Sequence, residues 1–209
     1  MSAPTGAVIF LHGTGDSGPG FEAWLESVDP AFVASLRAAG LQPVFPSAPT
    51  VPYSMAGGEP MPVWFDRTAL AGDADEDAAG LAATAAIIAG HVKQLCDAGI
   101  PAGKIFLGGF SQGGSTALYS SLATTPEIAT AATDFCGVFS LGSWVTTRSR
   151  MWPAISGWEQ QRPGRRKPPI FLAHGGSDGM IDPAWGEATR DQVGEGFAVV
   201  AAAERNPPS

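Results

Sequence analysis

Ser111 stands between Gly109 and Gly113 in the run Ile105-Phe106-Leu107-Gly108-Gly109-Phe110-Ser111-Gln112-Gly113-Gly114. An apolar, strand-like stretch leads into this G-x-S-x-G pattern, and the helix-like Ser115-Thr116-Ala117-Leu118-Tyr119 leads out of it. A serine that is to act as a nucleophile must sit on a sharp strand-to-helix turn with its Oγ clear of the sheet. Glycines flank it because the turn leaves no room for side chains. The helix that follows aims its first N–H groups at the point where negative charge develops. The competing reading, a glycine-rich turn with an incidental serine, accounts less well for a strand before the pattern and a helix after it.

Two further stretches carry groups such a serine would need. Ala7-Val8-Ile9-Phe10-Leu11 reads as a buried strand running into His12-Gly13-Thr14-Gly15-Asp16-Ser17-Gly18. A glycine-rich loop after a strand puts backbone N–H groups at the carboxyl edge of a sheet, so the N–H groups of Thr14 and Gln112 are the expected oxyanion donors. A plain turn is the alternative; a phosphate loop would need endings this segment lacks. Ile170-Phe171-Leu172-Ala173 is another strand, ending in His174-Gly175-Gly176-Ser177-Asp178. Asp178, on a loop beyond the serine, occupies the place of a triad acid in the order Ser, Asp, His. Asp182 competes, but it precedes Pro183 and reads as a helix N-cap. The third member is the difficulty: the chain has three histidines, His12, His91 and His174, and none follows Asp178. His12 and His174 read as structural parts of His-Gly turns, and His91 falls on a helix away from the site.

The elements that must position these groups alternate between strand and helix patterns, without repeats or a clear domain break, which predicts an α/β fold with a mostly parallel sheet. Asp29-Pro30 predicts a helix to Ala39, and Val44-Phe45 a short strand. Pro46 to Pro62 is proline-rich and irregular, the length of a functional loop. It ends in Val63-Trp64-Phe65-Asp66, where Trp64 and Phe65 are expected either to line an acyl groove or simply to pack. The acidic run Asp73, Asp75, Glu76 and Asp77 predicts the N-terminus of a helix through Leu95. Trp144 to Pro169 reads as irregular and holds Arg148, Arg150, Arg162, Arg165, Arg166 and Lys167. It is either a solvated loop or a basic flap facing an anionic membrane surface or substrate.

Composition narrows the classes. A net charge of −8 disfavours a nucleic-acid partner. Cys96 and Cys136 are the only cysteines and have no metal or redox spacing, so no metal and no cofactor is implied, and both read as free thiols in a reducing compartment. The N-terminus has no signal-peptide pattern, and the Ala-rich run Leu81–Gly90 is too short to span a membrane. A soluble cytoplasmic protein is expected.

Leu11-His12-Gly13-Thr14-Gly15-Asp16, Met61-Pro62-Val63-Trp64-Phe65-Asp66, Gly108-Gly109-Phe110-Ser111-Gln112-Gly113-Gly114 and Ala173-His174-Gly175-Gly176-Ser177-Asp178 together resemble the acyl-protein thioesterase family of α/β-hydrolases, which includes lysophospholipase-like carboxylesterases. The likeness runs from about Ala7 to Gln192, in order. It implies a single α/β-hydrolase domain, Ser111 as nucleophile, Asp178 as acid, and Thr14 with Gln112 as oxyanion donors. The substrates it implies are acylated proteins, lysophospholipids and simple esters. It also implies a base in a loop after the last strand, and a final helix. Neither is found after Phe197-Ala198-Val199-Val200-Ala201, so the domain reads as C-terminally incomplete. A missing helix is expected to leave apolar surface on one side of the sheet. Two functions follow: a serine hydrolase of acyl esters and thioesters, or an impaired relative that binds acyl groups or regulates without turnover.

Overall fold

The computed structural model describes residues 3–123 and 134–202. Six strands form one sheet in the order β2-β1-β5-β6-β7-β8, where β1 is Gly6–Leu11, β2 Leu41–Val44, β5 Ile105–Phe110, β6 Gly137–Leu141, β7 Ile170–Ala173 and β8 Val199–Ala202. All five pairings are parallel. Register aligns Leu11 with Gly109, Gly109 with Ser140, and Leu141 with Ala173. The loops after β1, β5, β6 and β7 therefore emerge side by side at one carboxyl edge, where an open parallel sheet builds its site. The segment expected to be irregular between Pro46 and Pro62 instead folds an antiparallel hairpin, β3 (Thr50–Pro52) against β4 (Pro60–Pro62).

The helices are α1 (Gly18–Val28), α2 (Phe32–Ala38), α3 (Ala78–Asp97), α4 (Gln112–Leu122), α5 (Met151–Ser156), α6 (Trp158–Gln161) and α7 (Pro183–Gly194). α1 was not foreseen: Ser17 caps it by accepting from Gly20 N, and a proline opens its first turn. Asp29 does not cap a helix as expected. Its backbone closes α1, its carboxylate accepts from Ala31 N, and α2 starts at Phe32. Asp77 and Asp182 do cap, onto Gly80 N and Ala184 N. The stretch 144–169 is not wholly irregular, since α5 and α6 lie within it.

Most of its basic side chains meet partners within the chain. Arg148 pairs with Asp73 and Asp75, Arg165 with Asp134, and Lys167 with Glu159. Arg162 donates to the Ser121 and Ala123 carbonyls at the end of α4, and Arg166 to those of Phe135 and Cys136. These contacts tie the stretch to the acidic run, to the end of α4 and to the residues before β6. The acidic run divides the same way: Asp77 caps α3, while Asp73, Asp75 and Glu76 hold the 148–150 loop.

Helix α4 is the centre of the molecule: every residue from Gln112 to Leu122 is buried. α3 packs alongside, with Leu81, Ala85, Ile88, Val92 and Leu95 turned into the core. It is long and apolar enough by length and composition to cross a membrane, longer than the ten-residue run read from the sequence. Its buried stripe is that of a core helix.

On the opposite face, α1 and α2 cover Val8 and Phe10, with Phe21, Phe32 and Phe45 packed against them. Phe10, Gly108, Phe139, Phe171 and Val200 form one cross-sheet row. Gly108 is required there because a Cβ would run into the Phe139 ring. Beyond Phe139 no described element covers the row. A groove of about 690 Å³ lies along it, and Phe171 is 38% and Val200 62% exposed. Phe171→Ala is therefore expected to cost less than about 1 kcal/mol, whereas Leu107→Ala, fully buried on the other face, costs about 2–5 kcal/mol. Urea denaturation of the two variants checks the contrast.

Candidate active site

Ser111 is the sole non-glycine among the described residues with a positive φ, at φ 54° and ψ −122°. That conformation costs about 1–3 kcal/mol and persists only where the surroundings enforce it. Here Ser111 N donates to Leu141 O at 2.8 Å, tying the turn to the end of β6, and the next residue already begins α4. A Cβ on Gly109 would stand 2.5 Å from Leu11 O, and one on Gly113 would collide with the same carbonyl and lie 2.6 Å from His12 O. The elbow glycines thus let the first strand press against the turn. A Cβ on Gly13 would sit 3.4 Å from that of Ser111, so the loop after β1 lies directly beside that serine.

That loop is pinned from three sides. His12 Nε2 accepts from Ala48 N at 2.9 Å while its Nδ1 lies 2.7 Å from Gly13 O, which fixes the proton on Nδ1. Gly15 N donates to Pro62 O, and Trp64 Nε1 to His12 O at 2.8 Å. Burial lowers the His12 pKa, outweighing the Gly13 carbonyl and the Asp16 charge that raise it. Both its nitrogens are committed to backbone, as a structural histidine requires. Thr14, exposed, stands in this held loop, and its side chain meets the Tyr53 hydroxyl. Gln112 is the first residue of α4, where an N–H has no intrahelical acceptor. Its buried side chain accepts from Trp64 N and donates to Phe65 O, at 2.9 and 2.8 Å.

Trp64 and Phe65 are 1% and 7% exposed. Trp64 braces the loop after β1. Phe65 borders a cavity of about 30 Å³, room for a water molecule or two rather than an acyl chain. Gln112 and His12 O draw the segment inward.

Asp178 lies on the loop after β7, with Oδ1 accepting from Met180 N and Ile181 N, both at 2.9 Å. The Ile181 N–H does most to hold its carboxyl below the usual range, against some desolvation, with the Met180 N–H and the His174 imidazole adding to the effect. His174 Nε2 stands 3.3 Å from Asp178 Oδ2 without hydrogen-bond geometry, and its Nδ1 is 3.3 Å from Ser143 O. His174 thus sits beside Asp178 rather than under its own turn alone. His91 lies on α3. No imidazole among the described residues is hydrogen-bonded to Ser111 Oγ.

Sequence reading missed a buried polar cluster beneath the site. Arg67 Nη2 donates to Ser115 Oγ at 3.0 Å, and Ser115 Oγ meets Ser143 Oγ and Trp144 O at 2.8 and 2.7 Å. The sole prior signal was Ser115 falling one turn after Ser111 on the helix that follows the elbow.

A parallel sheet with a strained serine elbow at its carboxyl edge and an acid on a later loop defines an α/β-hydrolase. Residues 1–195 match the family described as Phospholipase/Carboxylesterase, and the chain belongs to it. It is 33% identical over 196 residues to acyl-protein thioesterase 1 of Neurospora crassa, covering 91% of this chain and 74% of that protein. To lysophospholipase-like protein 1 of Mus musculus it is 30% identical over 195 residues, 91% of this chain and 75% of the relative. Among solved structures, Arabidopsis thaliana SOBER1 superposes with a TM-score of 0.74 at 26% identity, over 94% of this chain and 86% of that one.

Proposed function

We propose that this protein is a serine hydrolase of acyl thioesters and esters, acting through an acyl-enzyme on Ser111. The observation that carries this is the Ser111 backbone: a positive φ held at a strand-to-helix turn, with glycines where neighbouring carbonyls leave no room. In the reaction the Ser111 hydroxyl gives its proton to a base as its oxygen bonds the acyl carbon. The carbonyl oxygen, now negative, takes the N–H groups of Thr14 and Gln112. The C–S or C–O bond then breaks, the thiol or alcohol leaves with the proton, and water repeats the exchange to free the acid. Asp178 is the carboxylate that would orient a catalytic imidazole. The related thioesterase and lysophospholipase-like protein support acylated proteins and lipid esters as the substrate class. Two free cysteines support a cytoplasmic setting.

One observation favours the second reading, an impaired hydrolase that binds acyl groups: His12 is fully committed to backbone, and no other described imidazole meets Ser111. Incubation with p-nitrophenyl butyrate followed by peptide mass spectrometry separates the two. The expected result is a butyryl adduct on the Ser111 peptide that is absent from Ser111→Ala. No adduct, with equal release of nitrophenol by both proteins, would leave the binding reading.

A further inference from the structure

Arg67 is the only lysine or arginine in the buried class among the described residues, at 8% exposed. Its guanidinium lies 3.7 Å from the Trp144 ring centroid and 4.9 Å from that of Phe65. No described carboxylate comes within ion-pair distance of it. The adjacent Asp66 is turned away, accepting from Ser54 N and Ser54 Oγ at 2.8 and 2.5 Å. Burial lowers the Arg67 pKa to about 10, so the side chain is still a cation at neutral pH.

Its one hydrogen bond goes to a hydroxyl whose valence is full. Ser115 Oγ has a single proton, given to Trp144 O at 2.7 Å. The 2.8 Å contact with Ser143 Oγ is then donated by Ser143, and the two Ser115 lone pairs hold Ser143 and Arg67. Ser115 N reaches back to Ser111 O at 3.3 Å, while Ser143 O faces His174 Nδ1 at the same distance. One connected set of polar contacts therefore joins the nucleophile's helix to the acid's loop, with a buried cation at its root. A buried guanidinium with one neutral partner is a poor source of stability, because an apolar side chain of similar volume avoids the desolvation cost. What the guanidinium supplies is direction: a planar fork stacked on an indole holds its hydrogen bond in a fixed line, which an ammonium does not.

We propose that Arg67 is a positioning residue which, through Ser115 and Ser143, sets the His174–Asp178 pair in register with the Ser111 elbow. The proposal rests on reading Ser111 as nucleophile and Asp178 as acid. The test uses the full chain with Arg67→Met, Arg67→Lys, Ser115→Ala and the Arg67→Met/Ser115→Ala double variant. Three quantities are measured: the thermal midpoint, the ring ¹H–¹⁵N chemical shifts of His174 at one fixed pH, and the rate at which an alkyl fluorophosphonate labels Ser111. With three histidines in the chain, the His174 signal is assigned by one substitution. Arg67→Met is expected to keep or raise the midpoint, to displace the His174 ring signal, and to slow labelling by roughly 10²-fold. Arg67→Lys should not restore either, and the double variant should add nothing to Ser115→Ala. An unchanged His174 ring signal in Arg67→Met overturns the proposal. So does a loss of labelling that merely follows a lowered midpoint. Should Ser111 of the unaltered chain fail to label at all, the nucleophile reading fails, and the His174 ring signal still decides whether Arg67 positions that pair.

Discussion

Gly113→Ala is expected to remove at least about 3 kcal/mol of stability. A Cβ there would run into the Leu11 carbonyl oxygen, with Leu11 C at 2.5 Å and His12 O at 2.6 Å. These are backbone atoms of the last residue of β1 and of the residue after it, so no side chain can swing aside. Relief would need β1 and α4 to separate, and α4 is buried along its whole length. Gly90→Ala, in α3, provides the internal contrast. A Cβ at that position meets nothing within 4 Å. The substitution replaces a poor helix former by the best one and is expected to stabilise by about 0.5–1 kcal/mol. Urea denaturation of both proteins measures the difference. If Gly113→Ala unfolds at the same midpoint as the unaltered chain, the close approach of β1 to the elbow is wrong.

The same packing explains which parts of the site could be read in the sequence. The elbow was legible because its demands are local: a strand, a strained serine, glycines where the chain crowds, then a helix. That Asp178 falls on a loop after a strand was legible, and so was His12 as a structural histidine, by its His-Gly turn. The helix Gly18–Val28 was missed because Gly18, Pro19 and Gly20 read as loop, although Ser17 followed by a proline in the first turn is also a helix start. α5 and α6 were missed because Pro153 and Gly157 interrupt the pattern and both helices are too short to show a period. Arg67 was invisible for a different reason. A cation next to an aspartate reads as surface, and only the fold shows Asp66 turned to Ser54 and Arg67 driven between Phe65 and Trp144. The partners of the basic stretch were out of reach for a related reason: its arginines meet carbonyls and carboxylates distant in sequence, which no local pattern shows.

Free imidazole is expected to accelerate ester hydrolysis by the unaltered chain and to leave Ser111→Ala at the solution rate. The expectation follows from the state of the three histidines. His12 uses Nδ1 toward Gly13 O and Nε2 toward Ala48 N, and burial lowers its pKa, so it can neither take the Ser111 proton nor turn to reach it. His174 stands between Ser143 O and Asp178, and His91 lies on α3. Without a positioned base, an oxyanion site sustains a residual rate of roughly 10³–10⁴ over water. A general base adds a further factor of about 10²–10⁴ when it reaches the hydroxyl. Added imidazole should recover part of that second factor, in proportion to its unprotonated fraction. The sign is fixed by the chemistry: the protonated ring cannot accept a proton, so the enhancement grows as pH rises through the pKa of free imidazole itself and levels off above it. An alkyl ester is the better substrate, because imidazole attacks nitrophenyl esters directly and Ser111→Ala must show a low background. An equal enhancement in both proteins would mean that imidazole acts on the ester alone and that Ser111 is idle. A fast reaction that needs Ser111 but ignores imidazole would mean that one of the chain's own groups already takes the proton, and His174, 3.3 Å from Asp178, would be the group to replace next.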